Sequence, residues 1–404
     1  MAIQSRTSSR TMLPNVFFTL SIKMTQSLIK KVRDRGLFWF FSRLLTEVDR
    51  PVSIIIKILR PFVLTFYTLC LLPINKIKFL FLKPTAISKD RLYLFYDLEV
   101  SPVTYDFAWA LAAADYQRRK QGLSGVHVIF VPGKNSGLRE EDPDYENKID
   151  LFARRWRRYA ILYSLAELLP TCSGVTFYSS RDEALLLCEQ ARPNIFPKKY
   201  SVTFPIPHSN FKLLTQQCSL MFLKPTEQAR RYIRQWLISR AEGRKVIVIT
   251  LRQSNYMPDR NSNIAAWAKF ANNLNLREYC VVFVPDTEQA FEPPPPELKS
   301  FIYFTEPCWN LVLRAALYEI AYLNLGVNNG PMVLCWLNEA CRYITFKMMV
   351  ASAPQTSARS YRLQGFAIGK SLPFSHSWQV WVWKDDEEEI IRQEFTHMCA
   401  MIES

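Results

Sequence analysis

From residue 91 onward, short apolar runs alternate with longer mixed stretches. "RLYLFYDL" (91–98), "VHVIFVPG" (126–133) and "GVTFYS" (174–179) are rich in β-branched and aromatic residues and bounded by turn formers, so they read as strands. Between them, "TYDFAWALAAADYQRRK" (104–120) predicts a helix with Thr104 as N-cap, and "SRDEALLLCEQA" (180–191) a helix capped by Ser180. "NKIDLFARRWRRYAILYSLAELLP" also reads as mostly helical, whereas residues 192–224 are Pro-rich and irregular. After a helix over 226–243 that ends at Gly243, the alternation restarts. Its strands are "KVIVITL" (245–251), "YCVVFVP" (279–285), "FIYF" (301–304), "YLNLG" (322–326) and "YITFK" (343–347).

Strands that are apolar throughout and separated by helices belong to parallel sheets covered on both faces. The expected fold class is α/β, with two doubly wound Rossmann-like domains, over 90–225 and 226–380, and a C-terminal helix in 381–404. Two such units in series place a ligand crevice at the carboxyl ends of their strands.

Residues 1–89 follow another pattern. Lys30, Lys31, Arg33, Arg35 and Arg43 alternate with Leu28, Ile29, Val32, Leu37, Phe38, Phe41, Leu44 and Leu45 near helical spacing. This segment holds 15 Lys/Arg against 3 Asp/Glu, and the rest of the chain 36 against 33, so the net charge of +15 is concentrated here. A basic face on the folded body, as a nucleic-acid partner requires, is therefore not expected. The uncharged stretch "PFVLTFYTLCLLPIN" is shorter than the roughly 20 residues of a spanning helix. The expectation is a basic, apolar helical extension that associates peripherally with a membrane on the cytoplasmic side, aromatics at the acyl boundary and Lys/Arg on headgroups. The competing reading is an ordinary core helix with a solvated charged face. Nine cysteines without a CxxC pair and four scattered histidines point to reduced thiols, no metal and no cofactor.

Two donor-rich turns carry the candidate chemistry. In "VIVITLRQSNYMPDRNSNIAAW" (246–267), Arg252 directly follows a strand, and Arg260, Asn261 and Ser262 precede a helix. A guanidinium fork suits phosphate oxygens, and the helix start offers backbone N–H groups. In "NLGVNNGPMVLCWLNEACRYITFK" (324–347), a strand runs into the turn Asn328-Asn329-Gly330-Pro331. A helix over 331–338 is expected to aim its N-terminus at the crevice, with Gly330 permitting close approach of a diphosphate. On the other side, "YDLEVSPVTYDFAW" supplies Asp97, Glu99 and Asp106, candidates for a base that takes a hydroxyl proton, with His208 as a further one. Asp142-Pro143-Asp144 reads as an acidic loop and Asp385–Glu389 as the acidic start of the last helix.

The segment 301–347 resembles the donor half of GT-B glycosyltransferases. In heptosyltransferase-like members a strand-end Thr, here Thr305, and a helix precede an Asp-Ser-Gly-Pro-Met-His-Leu turn. Gly330, Pro331, Met332 and Leu334 match that turn, while Asn328 stands at the acid and Val333 at the histidine. "VIVITLRQ" is similar to the strand-plus-arginine of fucosyltransferase-like members, in which the arginine, here Arg252, holds the nucleotide diphosphate. The resemblance covers about 245–350. It implies a GT-B fold and metal-independent transfer from a nucleotide-sugar donor to a glycan or lipid-linked acceptor, as in surface polysaccharide synthesis. A nucleotide-sugar epimerase of the same fold and a non-catalytic membrane scaffold are the alternatives.

Overall fold

The computed structural model describes residues 87–205 and 219–404, together with Arg33. His208 and nearly all of the N-terminal extension lie outside the described residues. Residues 87–203 and 219–404 belong to one compact unit that holds two parallel sheets.

The first sheet has the order β3-β2-β1-β4, with β1 Arg91–Asp97, β2 Gly125–Val131, β3 Cys172–Phe177 and β4 Ile195–Phe196. The second has the order β10-β9-β8-β5-β6-β7. Its strands are β5 Lys245–Thr250, β6 Tyr279–Val284, β7 Ile302–Tyr303, β8 Leu323–Val327, β9 Tyr343–Phe346 and β10 Gln379–Trp381. Counted within the second sheet, this is the doubly wound order 3-2-1-4-5-6, and the first sheet repeats its opening part. The α/β architecture expected from the apolar runs is present.

The order in which strands are added reverses at one place in each sheet: between β1 and β4, and between β5 and β8. At the second, Gly326 pairs with Thr250, and a Cβ there would lie 3.0 Å from the Thr250 carbonyl oxygen and 3.2 Å from the Met332 sulfur. A side chain at 326 would push apart the two strands whose loops form the site.

Helix Phe107–Gln121 begins three residues later than expected, because the Thr104 hydroxyl donates to the Asp106 carboxylate and residues 104–106 form a turn. Its residues from Phe107 to Asp115 are all buried, and alanine at five of these nine positions lets neighbours pack on every side. Trp109 on this helix stacks at 6.2 Å on Trp336, which follows β8. The helix expected over 331–338 is instead a 3₁₀ turn, Gly330–Met332, and one α turn, Val333–Trp336. The stretch 151–167 is helical but widens to a π-helix over Arg158–Tyr163.

Strands β4 and β10 escape the sequence pattern, being two and three residues long. In β10 the buried polar Gln379 also obscures the apolar run; its amide donates to the Asn338 and Cys341 carbonyls at 3.1 and 2.9 Å. The last helix, Glu388–Glu403, packs Ile391, Phe395 and Met398 into the core on the far face of the second sheet. Just before it, Asp386 is buried and accepts from the Asn263 backbone at 2.7 Å and the Trp267 indole at 2.8 Å. Among the described residues no helix is long and apolar enough to cross a membrane.

Candidate functional site

The loops at the carboxyl ends of both sheets line a cleft of about 1380 Å³. The β1 loop supplies Tyr105 and Asp106, the β5 loop Arg252 and Arg260, the β6 loop Asp286 and Glu288, and the β8 loop Asn328 to Pro331. This is where a doubly wound sheet binds ligands.

Arg252 is buried, and its fork is occupied. Nη1 donates to the Met257 carbonyl at 3.0 Å and to the Asn261 side chain, and Nη2 donates to the Tyr256 carbonyl at 2.5 Å. These bonds hold a loop in which Met257 adopts the left-handed region at φ +54°. The Ser262 hydroxyl accepts from the Arg252 backbone at 2.9 Å, and Asn263 caps the helix Ile264–Asn272. Arg252 thus builds the loop and contributes its charge at the cleft lining, with three of its terminal N–H groups donated to protein oxygens. Burial, and after it the charge of Arg260, pushes its guanidinium down to about 10.

Arg260 reaches across the switch point, donating from Nη2 to the Asn328 carbonyl at 3.0 Å. Its Nε is buried without a partner, and burial lowers its pKa. Asn328 has turned inward: its amide donates to the Met348 carbonyl at 3.0 Å and to the Tyr361 hydroxyl at 2.8 Å. Asn329 caps the 3₁₀ turn through Oδ1, while its Nδ2 has no partner. Gly330 does permit close approach, but what approaches is the ring of Tyr105: a Cβ at 330 would lie 2.4 Å from it. With the following helix only one turn long, the expected helix-terminus cradle is absent, and the turn's own side chains carry the donors. Thr305 lies outside the cleft lining, its hydroxyl turned to Glu306 at 3.4 Å.

The three carboxylates from the first sheet separate. Asp97 is buried at the β1/β4 switch point in a two-pronged ion pair with Arg181 at 2.8 Å, with the Tyr200 hydroxyl donating at 2.5 Å. Glu99 accepts from the Lys134 backbone at 2.5 Å. Neither lines the cleft. Asp106 does, is exposed, and accepts from the Thr104 hydroxyl at 3.0 Å. Asp142 also lines the cleft, as the N-cap of the short helix Pro143–Lys148.

Sequence reading missed Arg314, Tyr105 and the apolar rim. Arg314 lies in helix Leu311–Ile320 and is 1% exposed, within an otherwise apolar buried face of Leu311, Ala315 and Tyr318. An arginine at an apolar position of the helical period is a signal that could have found it. The rim includes Phe152, Trp156 and Phe291, all exposed, with Phe291 stacked on Trp309 at 4.9 Å.

Among the described residues lining the cleft, the buried side-chain atoms without a partner are Ser101 Oγ, Arg260 Nε, Arg314 Nε, Asn329 Nδ2 and Trp381 Nε1. Every one can donate, and none is an acceptor alone. A cleft with this surplus is complementary to an acceptor-rich, anionic ligand. No group of three or more metal-ligating side chains occurs among the described residues.

In sequence, the chain matches no family model and no curated protein. Similar solved structures include the ADP-heptose LPS heptosyltransferase II of E. coli, at 11% identity and a TM-score of 0.48, covering 78% of this chain and 100% of that one. A glycosyl transferase family 9 protein from Veillonella parvula follows the chain at 11% identity and a TM-score of 0.41, covering 77% of this chain and 97% of that one. The fucosyltransferase NodZ from Bradyrhizobium is similar at 14% identity and a TM-score of 0.23, over 68% of this chain and 92% of that one. Likenesses of this size describe a general arrangement of strands and helices and nothing finer. Fold and site together define a protein of two doubly wound parallel sheets with a donor-lined cleft at their strand ends.

Proposed function

We propose that this chain is a glycosyltransferase that moves a sugar from a nucleotide-sugar donor to a glycan or lipid-linked acceptor. The observation that carries the reading is the pair of unpartnered donors at the β5/β8 switch point, Arg260 Nε and Asn329 Nδ2, in a cleft that also receives the exposed Asp106 carboxylate from the β1 loop. A nucleotide sugar presents a diphosphate, which suits Arg260, Asn329 and the field of Arg252. As the glycosidic bond breaks, negative charge grows on the leaving diphosphate, and these fixed donors stabilise it without rearranging. Asp106 would accept the proton of the attacking acceptor hydroxyl. The exposed aromatic rim supports an acceptor with an apolar portion.

The test of the chemistry is release of free nucleotide from a nucleotide sugar in the presence of acceptor. Asp106→Asn is expected to lower turnover at least a hundredfold with donor binding unchanged. Wild-type turnover in that variant removes Asp106 from the role. Peripheral membrane association through residues 1–89, with a place in surface polysaccharide synthesis, completes the proposal. Deleting those residues is expected to abolish flotation with anionic liposomes, and unchanged flotation contradicts it.

A further inference from the structure

We infer that Arg314 is the innermost anion ligand of the cleft and that the Tyr105 side chain is a gate that covers it until an anion enters. The inference rests on the reading of the cleft as a diphosphate site.

Three observations converge. First, Arg314 is a guanidinium enclosed to 1% exposure with no carboxylate partner among the described residues. Its Nη2 has the Pro285 carbonyl at 3.3 Å and the Cys308 sulfur at 3.9 Å, and its Nε has nothing. Burial disfavours its charge, and Tyr318, Tyr105, Cys308 and Asp286 together offset that burial without a direct ion pair; an apolar side chain would fill the same place in the helix more cheaply. Second, Arg314 borders the cleft although almost none of its surface is open to it. Third, Tyr105 lines the same cleft as Arg314, and the Arg314 guanidinium opposes the rise that burial imposes on its phenol. The Tyr105 ring rests on Gly330, in contact so close that even a methyl group at 330 would collide with its Cγ and Cδ2 at 3.0 and 2.4 Å.

Tyr105 therefore comes from the β1 loop, sits on the glycine of the β8 turn, and presents a neutral oxygen to a cation that a phosphate would satisfy better. Gly330 is the residue that lets the gate close fully. Because Asp106 follows Tyr105 directly, any displacement of the ring that extends to the backbone would also move the proposed base. Donor arrival and base placement would thus be coupled through one peptide unit.

The test titrates inorganic pyrophosphate into the full-length protein by calorimetry. If a closed gate occupies about nine-tenths of the molecules, removing it raises apparent affinity about tenfold. Tyr105→Ala is therefore expected to bind pyrophosphate several-fold to tenfold tighter than wild type. Arg314→Gln is expected to bind at least tenfold more weakly and to cancel the gain when combined with Tyr105→Ala. Arg314→Lys, which keeps the charge, serves if Arg314→Gln does not fold and is expected to retain part of the affinity. Binding by Tyr105→Ala alone, with none by wild type, also supports the gate. Tyr105→Ala affinity equal to or weaker than wild type overturns it. If Arg260→Ala loses pyrophosphate while the Tyr105 and Arg314 variants bind as wild type does, this inference fails and the diphosphate reading stands. If neither wild type nor Tyr105→Ala binds, both fail.

Discussion

Arg252 and Arg260 exchange importance once their surroundings are known. A strand-end arginine reads as a phosphate fork, yet the terminal nitrogens of Arg252 are committed to the carbonyls of residues 256 and 257 and to Asn261. Its substitution should therefore damage the loop before it damages ligand binding. Arg252→Lys retains the charge but cannot make the same bonds. It is expected to lower stability by about 1–3 kcal/mol, the usual cost of stranding buried groups bonded to a charge. A melting temperature equal to wild type would show that the loop does not depend on the fork. Sequence could place both arginines at the carboxyl edge of the sheet, because the apolar run ends abruptly at Leu251. It could not tell which guanidinium is taken up by loop oxygens and which keeps an unpartnered Nε, since that depends on a turn at Met257 and a carbonyl from β8. The same limit applies to the carboxylates. Asp97, Glu99 and Asp106 are equivalent as letters, and only Arg181 and Tyr200, 84 and 103 positions from Asp97, show that it is committed to structure.

At the scale of elements, long apolar strands were legible because burial on both faces leaves no alternation to disguise them. Strands β4 and β10 and the short reach of the helix after the β8 turn were not, because β10 and that turn are fixed by tertiary bonds. The acidic stretch before the last helix is the clearest case. Asp385–Glu389 looks like favourable charge at a helix start, but Asp386 faces inward and ties Trp267 and the Asn263 backbone to the second sheet. Burial raises its pKa above the ordinary carboxylate value, opposed by the Asn263 N–H, by Lys347 and by the Trp267 N–H. With the folded value above the unfolded one, the ionised group costs stability at neutral pH. That cost is relieved as pH falls through the window between the folded pKa and the ordinary 3.8. Asp386→Asn keeps an acceptor oxygen and drops the charge, so it is expected to melt close to wild type and to lose this pH response. Asp386→Ala strands two donors and is expected to cost about 1–3 kcal/mol for each. Equal melting temperatures for the two variants in chemical denaturation and thermal scans would refute the inward-anchor role.

Across the whole molecule, the two sheets use one winding rule twice, but only the second keeps its switch point open to a ligand. The first closes its own with the Asp97–Arg181 pair, leaving Tyr105 and Asp106 on the β1 loop as its contribution to the cleft. The unpartnered donors of Arg260 and Asn329 and the exposed Asp106 carboxylate carry the central proposal, that this cleft holds the diphosphate of a nucleotide sugar. The most direct measurement is a thermal-shift screen of GDP-, UDP-, ADP- and CMP-sugars against wild type and Arg260→Ala. At least one of these ligands is expected to raise the wild-type melting temperature, with the shift lost in Arg260→Ala. Failure of all four to stabilise wild type, or an equal shift in Arg260→Ala, would contradict the account.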